Sequence, residues 1–352
     1  MTENEERRIR FPRRKRVILL GVAGLLLMSS FGVGGYTYWN AANPERTCAS
    51  CHEISHSVSS FKASAHRDLA CSECHGTALS QGFHSLKEKT NMVLAHFDDA
   101  PRNKEIRMSE EQVLQVSEAC ERCHQSEYAR WSSGGHATTY ADIFLDDEHN
   151  KMEAPYPDCF RCHGMFFDDN IEALMEPLDT TGPWRFKDPK MAEKPTVPCL
   201  ACHQMHTEND TLAEDGDLRN PAFALYSRAD KMYLRADKLV KPVILHHGNP
   251  IDVSDDYAQR LCVHCHSPNF QHEAGTEDDR TPTGVHEGLS CNACHEPHSN
   301  SAANSCVKCH PATSNCNLDV HTMDTTFANP NSPNNIHSVG CSDCHEENNS
   351  AP

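Results

Sequence analysis

Positive charge is scarce in this 352-residue chain: 32 Lys and Arg stand against 50 Asp and Glu, a formal net charge of −18. Nucleic-acid phosphates attract Lys and Arg, so no nucleic acid is expected as a partner. Apolar residues are thin at 38%, and aromatics reach only 7%, with three Trp. That lies a little below an ordinary globular domain and argues against a large hydrocarbon core. No Gly period and no sustained heptad runs through the sequence, which excludes collagen and coiled coil. Long apolar runs are missing except for one near the N-terminus.

Cys and His are abundant, at 19 and 24 residues. Eighteen of the Cys fall into nine copies of Cys-x-x-Cys-His. These are Cys48-Cys51-His52, Cys71-Cys74-His75, Cys120-Cys123-His124, Cys159-Cys162-His163 and Cys199-Cys202-His203. Cys262-Cys265-His266, Cys291-Cys294-His295, Cys306-Cys309-His310 and Cys341-Cys344-His345 complete the set. The pattern reads as c-type haem attachment. Two thiols add across the porphyrin vinyl groups, and the next residue places an imidazole on iron from the same turn. Zinc, a thioredoxin-like redox pair and disulfides are the competing uses of such Cys. Zinc ribbons do not require a His after every pair, and a disulfide framework would not repeat one spacing. Nine c-type haems are therefore expected. Porphyrin faces would supply the missing apolar core, and the bare chain would fail to fold, as small metal-dependent domains do. The fold expected is mostly α and irregular, with short helices and loops packed on haem. Cys316 is left over and reads as a free or buried thiol.

Iron held by two His is closed and carries electrons, whereas an open position permits substrate chemistry. Fifteen His lie outside the motifs, enough to close nine sites. His66, His286 and His337 precede a motif by four or five residues; His206 and His298 follow a motif His by three. His136, His149, His247 and His321 are further distal candidates, and His56, His84, His96, His246, His264 and His272 remain open. Met165 and Met205, each two residues past a motif His, offer a thioether instead. Sequence spacing does not pair a distal ligand with its haem.

Residues 1–16 carry seven basic side chains, and no charge appears from Val17 to Pro44. The apolar run 17–39 exceeds the roughly 20 residues that a membrane helix needs. Tyr36, Tyr38 and Trp39 group at its far end, where an interface would lie. A cleaved signal peptide has a shorter apolar region, of about 7–15 residues. We read 1–16 as a basic cytoplasmic tail and 17–39 as an uncleaved transmembrane anchor of the bacterial cytoplasmic membrane. The haem domain then lies on the outer, periplasmic face. Seven of the 32 basic and three of the 50 acidic residues lie in the tail, so the remainder carries −22.

The motifs do not recur at a fixed period, which excludes a regular solenoid. The 15-residue step from Cys291 to Cys306 requires two haems to lie close together. Ser109 with Gln112 predicts a capping-box helix running into Cys120. Asn220-Pro221 predicts another, with Leu225, Ala229, Met232, Ala236 and Leu239 on one face. Asp146–Glu148 and Glu277–Asp279 read as solvated loops, no strand-rich region is evident, and a break is expected near 170–195.

The anchor followed closely by Cys48-Ala-Ser-Cys-His52 and by Ser64-Ala-His66-Arg-Asp-Leu-Ala-Cys71-Ser-Glu-Cys74-His75-Gly76 resembles the NapC/NirT/NrfH family of membrane-anchored tetrahaem quinol dehydrogenases. The likeness continues through the motifs at 120 and 159 and covers about residues 1–165. It implies a tetrahaem module over 40–170 and a membrane quinol oxidised near the first haem. It also implies a basic residue at the quinol pocket, matched by Lys87 or Lys89 on the segment Phe83 to Lys89. Electrons would pass to a periplasmic reductase or cytochrome. Ile54 stands where the family often has Met, and no His follows His163 at the family's position, so ligation at the first and fourth sites stays open. Residues 195–352, with five motifs, resemble generic multihaem cytochrome c. Two alternatives remain: a reductase of nitrite, hydroxylamine or a sulfur oxyanion, and an electron-transfer subunit that takes electrons from a neighbouring membrane subunit without touching quinol.

Overall fold

The computed structural model describes residues 13–41, 54–76, 90, 94, 108–206, 224–229, 232–267, 269–276, 279–299, 301–310, 329, 331–332 and 335–344. The chain divides into two compact units, 1–104 and 105–352. As composition implied, the architecture is mostly helical and irregular.

In the first unit, Arg13–Ala41 forms one helix. Its 29 residues span about 44 Å at 1.5 Å per residue. The stretch Arg14–Tyr38 has a mean hydropathy of 2.2 and none of it is buried, so by length and composition it can cross a membrane. Ser55–Ala63 is a second helix, and Cys71–His75 makes a single helical turn.

In the second unit the helix Glu110–Glu121 starts where Ser109 and Gln112 close a reciprocal box, the Ser109 N–H donating to Gln112 Oε1 at 2.7 Å. Val113, Val116 and Ser117 bury one face. Between 140 and 191 lies the main apolar cluster: Tyr140, Phe144, Phe160, Ile171, Leu174, Met175, Phe186 and Met191. Fully buried side chains such as Phe160 and Ile171 contribute roughly 1.5–3 kcal/mol each. The region 170–195 contributes Ile171, Leu174, Met175, Phe186 and Met191 to this cluster. Its Pro and charged residues sit on the rim of a small antiparallel pair, β1 (Met175–Glu176) with β2 (Arg185–Phe186), whose inner residues Met175 and Phe186 face the cluster.

The helix expected after Asn220-Pro221 is a hairpin instead. Residues 220–223 lie outside the described residues, but β3 (Ala224–Ser227) pairs antiparallel with β4 (Met232–Arg235). Alternation decided the outcome. Leu225 and Leu234 turn to an apolar cluster with Ala236, Leu239 and Leu261, while Tyr226 and Tyr233 meet across the other face at 5.3 Å between rings. β5 (Val243–His246) pairs with β6 (Asn249–Pro250) antiparallel and with β7 (Gln271–Glu273) parallel. β8 (Thr283–Gly284) and β9 (Ser338–Val339) form a short parallel pair. These strands are two to four residues long, so no strand-rich region forms among the described residues; short loops around the motifs find edge partners for their amides.

Of the two acidic runs, Glu277 and Asp278 lie outside the described residues, and Asp146–Glu148 and Asp279 are not plain loop residues. Asp146 caps the helix Asp147–Met152, accepting from the Glu148 and His149 amides. Asp279 is 1% exposed and accepts from the hydroxyls of Ser267 and Thr281 and the amides of Thr281 and Gly275.

Candidate functional site

Where described, the motifs share one local geometry. Each His amide donates to the carbonyl of the first Cys of its motif: His124 to Cys120 at 2.8 Å, His163 to Cys159 at 3.0 Å, His203 to Cys199 at 3.0 Å, His295 to Cys291 at 2.8 Å and His310 to Cys306 at 2.9 Å. One helical turn thus projects two thiols and an imidazole together. Cys262, Cys265 and His266 ride on the helix Tyr257–His266, and Cys341–Cys344 is itself a helical turn. The described motif cysteines include Cys120, Cys159, Cys199, Cys262 and Cys291, each partly buried and not in a disulfide. Cys48, Cys51, His52, His345, His321, Cys316, Lys87 and Lys89 lie outside the described residues.

Among the described residues, the motif imidazoles His266, His203, His310 and His295 each stand opposite a second imidazole across a gap. His136 stands opposite His266 at 6.4 Å between ring centroids, and His298 opposite His203 at 6.3 Å. His286 stands opposite His310 at 6.3 Å, and His337 opposite His295 at 6.0 Å. The gap has a metal's dimensions. A five-membered ring with bonds of about 1.33 Å has a radius of about 1.1 Å. An imidazole nitrogen binds zinc at about 2.0–2.1 Å, and two such arms end to end give about 6.3 Å. The vicinal pair His246 and His247, in direct contact at 4.1 Å, shows what two imidazoles do with nothing between them.

Electrostatics agree with neutral, ligating rings. Burial, then the nearby His298 and His124, hold His203 down to about 4. Burial and His266 lower His136; burial and His295 lower His337. A neutral imidazole keeps the lone pair that metal ligation needs.

The other distal candidates among the described residues are placed as follows. His66 is half-buried in the turn between Ser55–Ala63 and Cys71–His75, and its amide donates to Ser64 Oγ. His149 is exposed, 4.0 Å from Glu153. His206 is half-buried with its amide on Gln204. His247 is exposed at the β5–β6 turn with φ 52°. Met165 is buried. Beside the ring pairs, the main signal missed in the sequence is Asp279, whose burial next to Ser267 and the motif at 262–266 no local pattern announced.

Thiols of different motifs also meet. Cys120 hydrogen-bonds Cys199, Cys265 hydrogen-bonds Cys162, and Cys291 hydrogen-bonds Cys262; in each pair the first thiol is pushed up and the second lowered, chiefly by that bond. Burial pushes Cys202 up to about 11. Cys294 is raised by burial and by Cys306, the neighbour expected from the 15-residue step.

Repeated attachment turns that project thiols and imidazoles together are the sites of a multihaem c-type cytochrome. Two family models carry that class. Residues 42–214 match the one described as outer membrane cytochrome MtrC/MtrF-like, domains II/IV, and residues 235–296 match cytochrome c554 and c-prime. The chain is similar to both over those stretches, and covalently bound haem follows. Neither model is that of the NapC/NirT/NrfH family. No curated protein and no solved structure matches the chain.

Proposed function

We propose that the chain is a membrane-anchored nonahaem c-type cytochrome that carries electrons from membrane quinol, or from a membrane redox partner, to periplasmic acceptors. The observation that carries this reading is the set of four His–His gaps of 6.0–6.4 Å. Haem supplies one-electron exchange at iron when bound. The chain holds each group through two Cys and a His on one turn. His136, His298, His286 and His337 would each supply a second imidazole to such a group, which would leave no position for substrate at those four sites. The apolar helix Arg13–Ala41 and the haem-protein descriptions at 42–214 and 235–296 support the same reading. The anchor, the two adjacent motifs and the resemblance at 1–165 support a NapC/NirT/NrfH-like quinol end, with Lys87 or Lys89 as its basic residue.

Redox-titrated EPR on natively produced, membrane-extracted protein tests this, with a parallel mass measurement. Nine haem masses, low-spin signals from the four paired sites and a change on adding a quinol-site inhibitor are expected. Zinc or bare polypeptide would end the reading. A high-spin signal that moves with nitrite would transfer the chain to the reductases, and no reduction by a quinol analogue would leave an electron-transfer subunit. Deletion of residues 1–41 should release the haem domain from the membrane fraction, as read by fractionation.

A further inference from the structure

An imidazole that binds metal through one nitrogen keeps a second nitrogen, and what that second nitrogen meets sets how strongly the first one donates. Two of the ring pairs make a natural comparison. His203 and His298 stand 6.3 Å apart at an interplanar angle of 9°, and His295 and His337 stand 6.0 Å apart at 14°. Their distal rings differ at Nδ1. His298 Nδ1 lies 3.2 Å from a carboxylate oxygen, Glu296 Oε1. His337 Nδ1 lies 3.3 Å from an amide oxygen, Asn335 Oδ1.

Both partners fix the tautomer. An ionised carboxylate only accepts, so the proton of a neutral His298 sits on Nδ1 and the lone pair stays on Nε2. The His337 amide also donates to Asn335 Oδ1, at 3.1 Å, so the Asn335 oxygen and not its NH2 group faces that ring. Glu296 is itself held in place. Its Oε2 accepts from the Ser299 amide at 2.7 Å, and its own amide donates to the Ser301 carbonyl at 2.9 Å. Its Oε1 also accepts from Arg130 Nη1 at 3.3 Å. Arg130 pairs with Glu127 as well, at 3.4 Å, so its one positive charge is shared between two carboxylates. Arg130 belongs to the helix Gln125–Ser132, and a Cβ on Gly134, just past that helix, would strike the Ser299 backbone at 2.7–2.9 Å. The loop that carries Glu296 and His298 is therefore seated closely on the end of that helix.

We infer that Glu296 sets the reduction potential of the 199–203 site and holds it low, acting through His298. A carboxylate on Nδ1–H draws that proton toward itself and makes Nε2 the more basic ligand. More electron density at the iron, with a negative charge close by, favours the ferric state over the ferrous. Second-shell hydrogen bonding is one of the levers by which a protein sets a haem potential. The neutral amide of Asn335 gives the 291–295 site the same ring orientation without the charge. Glu296 touches no iron, so it is a positioning residue whose charge tunes the ligand it orients. This inference rests on the electron-conduit reading, in which these rings are axial ligands.

The test is a reciprocal exchange, read by redox titration of the matured full chain with EPR detection. The 199–203 signal is the one that His298→Ala removes, and the 291–295 signal the one that His337→Ala removes. Glu296→Gln keeps an acceptor of the same length and deletes the charge. The ferric-to-ferrous ratio of the 199–203 site at a fixed potential should then fall roughly tenfold, a rise in midpoint of about 59 mV for a one-electron couple. That shift should exceed the shift at every other site, with the low-spin signal kept. Asn335→Asp should move the 291–295 site the opposite way, to a lower midpoint. An unmoved 199–203 midpoint, or a 291–295 midpoint that does not fall, overturns the inference. So does a 199–203 site that turns high spin in Glu296→Gln, because Glu296 would then only hold the ring in place. Should Glu296→Gln fail to take up its haem, Asn335→Asp decides alone, since Asn335 is exposed. Haem counting by mass on the unaltered protein keeps the questions apart. Missing haem or missing low-spin signals there sink the conduit reading, whereas a full low-spin complement with unmoved midpoints in the variants sinks the tuning alone.

Discussion

Two imidazoles about 6 Å apart and two in contact differ by the thickness of a metal, and on the proposed reading that difference would assign ligands residue by residue. His298 is the sharpest case, nearly parallel to His203 at an interplanar angle of 9°. His298→Ala should convert one low-spin haem to high spin and leave the others unchanged, as counted by EPR. The angles carry a second expectation. His286 and His310 stand at 77°, His295 and His337 at 14°. Crossed ligand planes leave two iron π orbitals nearly degenerate, so the His286/His310 site should give the more anisotropic low-spin signal; His286→Ala should remove that signal and no other. All four distal histidines were visible as candidates, because each lies near a motif or in a polar loop. Their pairing was not. His136 and His266 are 130 residues apart and His203 and His298 are 95 apart, distances at which only the fold chooses partners. Asp279 was misread for the same reason, since burial is a property of the assembled loop. Burial alone would raise its pKa, but hydrogen bonds from Ser267, Thr281 and Gly275 outweigh that and hold it below the usual carboxylate range. Its stabilisation is therefore complete above the unfolded Asp value of about 3.9 and is lost as pH falls through the lower folded value. Asp279→Asn should lower stability at neutral pH by about 1.5–3 kcal/mol and remove this component of the acid transition, both measurable by thermal melts across pH.

Short elements aim the ligands, and here the sequence was legible only where a local rule operates. The capping box at Ser109 is such a rule, complete within four residues. The hairpin at β3 and β4 is the opposite case. Leu225, Ala236 and Leu239 fit a helical face in the sequence, and all three do reach one apolar cluster, but by way of a turn. Alternating Leu and Tyr on both arms, paired Leu225 with Leu234 and Tyr226 with Tyr233, outweigh the longer period. The pair β8–β9 has two residues per strand and no sequence signature at all. Yet it sits between two ligands: the Thr283 amide donates to the His337 carbonyl at 2.7 Å, and the Val285 amide, beside His286, donates to Val339 at 2.9 Å. Gly284 holds φ 70° against the Val339 carbonyl, a conformation and an approach that a Cβ forbids. Gly284→Ala should therefore disturb the EPR signals of both the His286/His310 and His295/His337 sites without altering a ligand, and should destabilise the protein by more than about 1 kcal/mol. Unchanged signals would mean that the ligands are aimed from elsewhere.

At the scale of the molecule, composition and connectivity say the same thing. Among the described residues of the second unit, buried apolar side chains cluster over 140–191 and around Leu225 and Leu261. Most motifs lie outside them, with thiols only half-buried. Ring pairs tie residue 136 to 266, 203 to 298, 286 to 310 and 295 to 337, so the loops interlock across most of 120–345. Each tie closes a loop of 24 to 130 residues, and its closure entropy is offset only when both imidazoles share a metal. Two-part ligation of this kind makes binding free energy into folding free energy. Chain produced without haem attachment should then keep the 140–191 cluster at most, showing no cooperative thermal transition and early proteolysis in the loops that carry His136, His298 and His337. Matured protein should melt cooperatively, and stepwise loss of sites should erode that cooperativity, Cys262 and Cys265 included, whose helix is held to the Cys291–Cys294 turn by Asp256 and Gln259. Differential scanning calorimetry with limited proteolysis checks each step; a cooperative melt of the haem-free chain would show that the polypeptide alone specifies the fold.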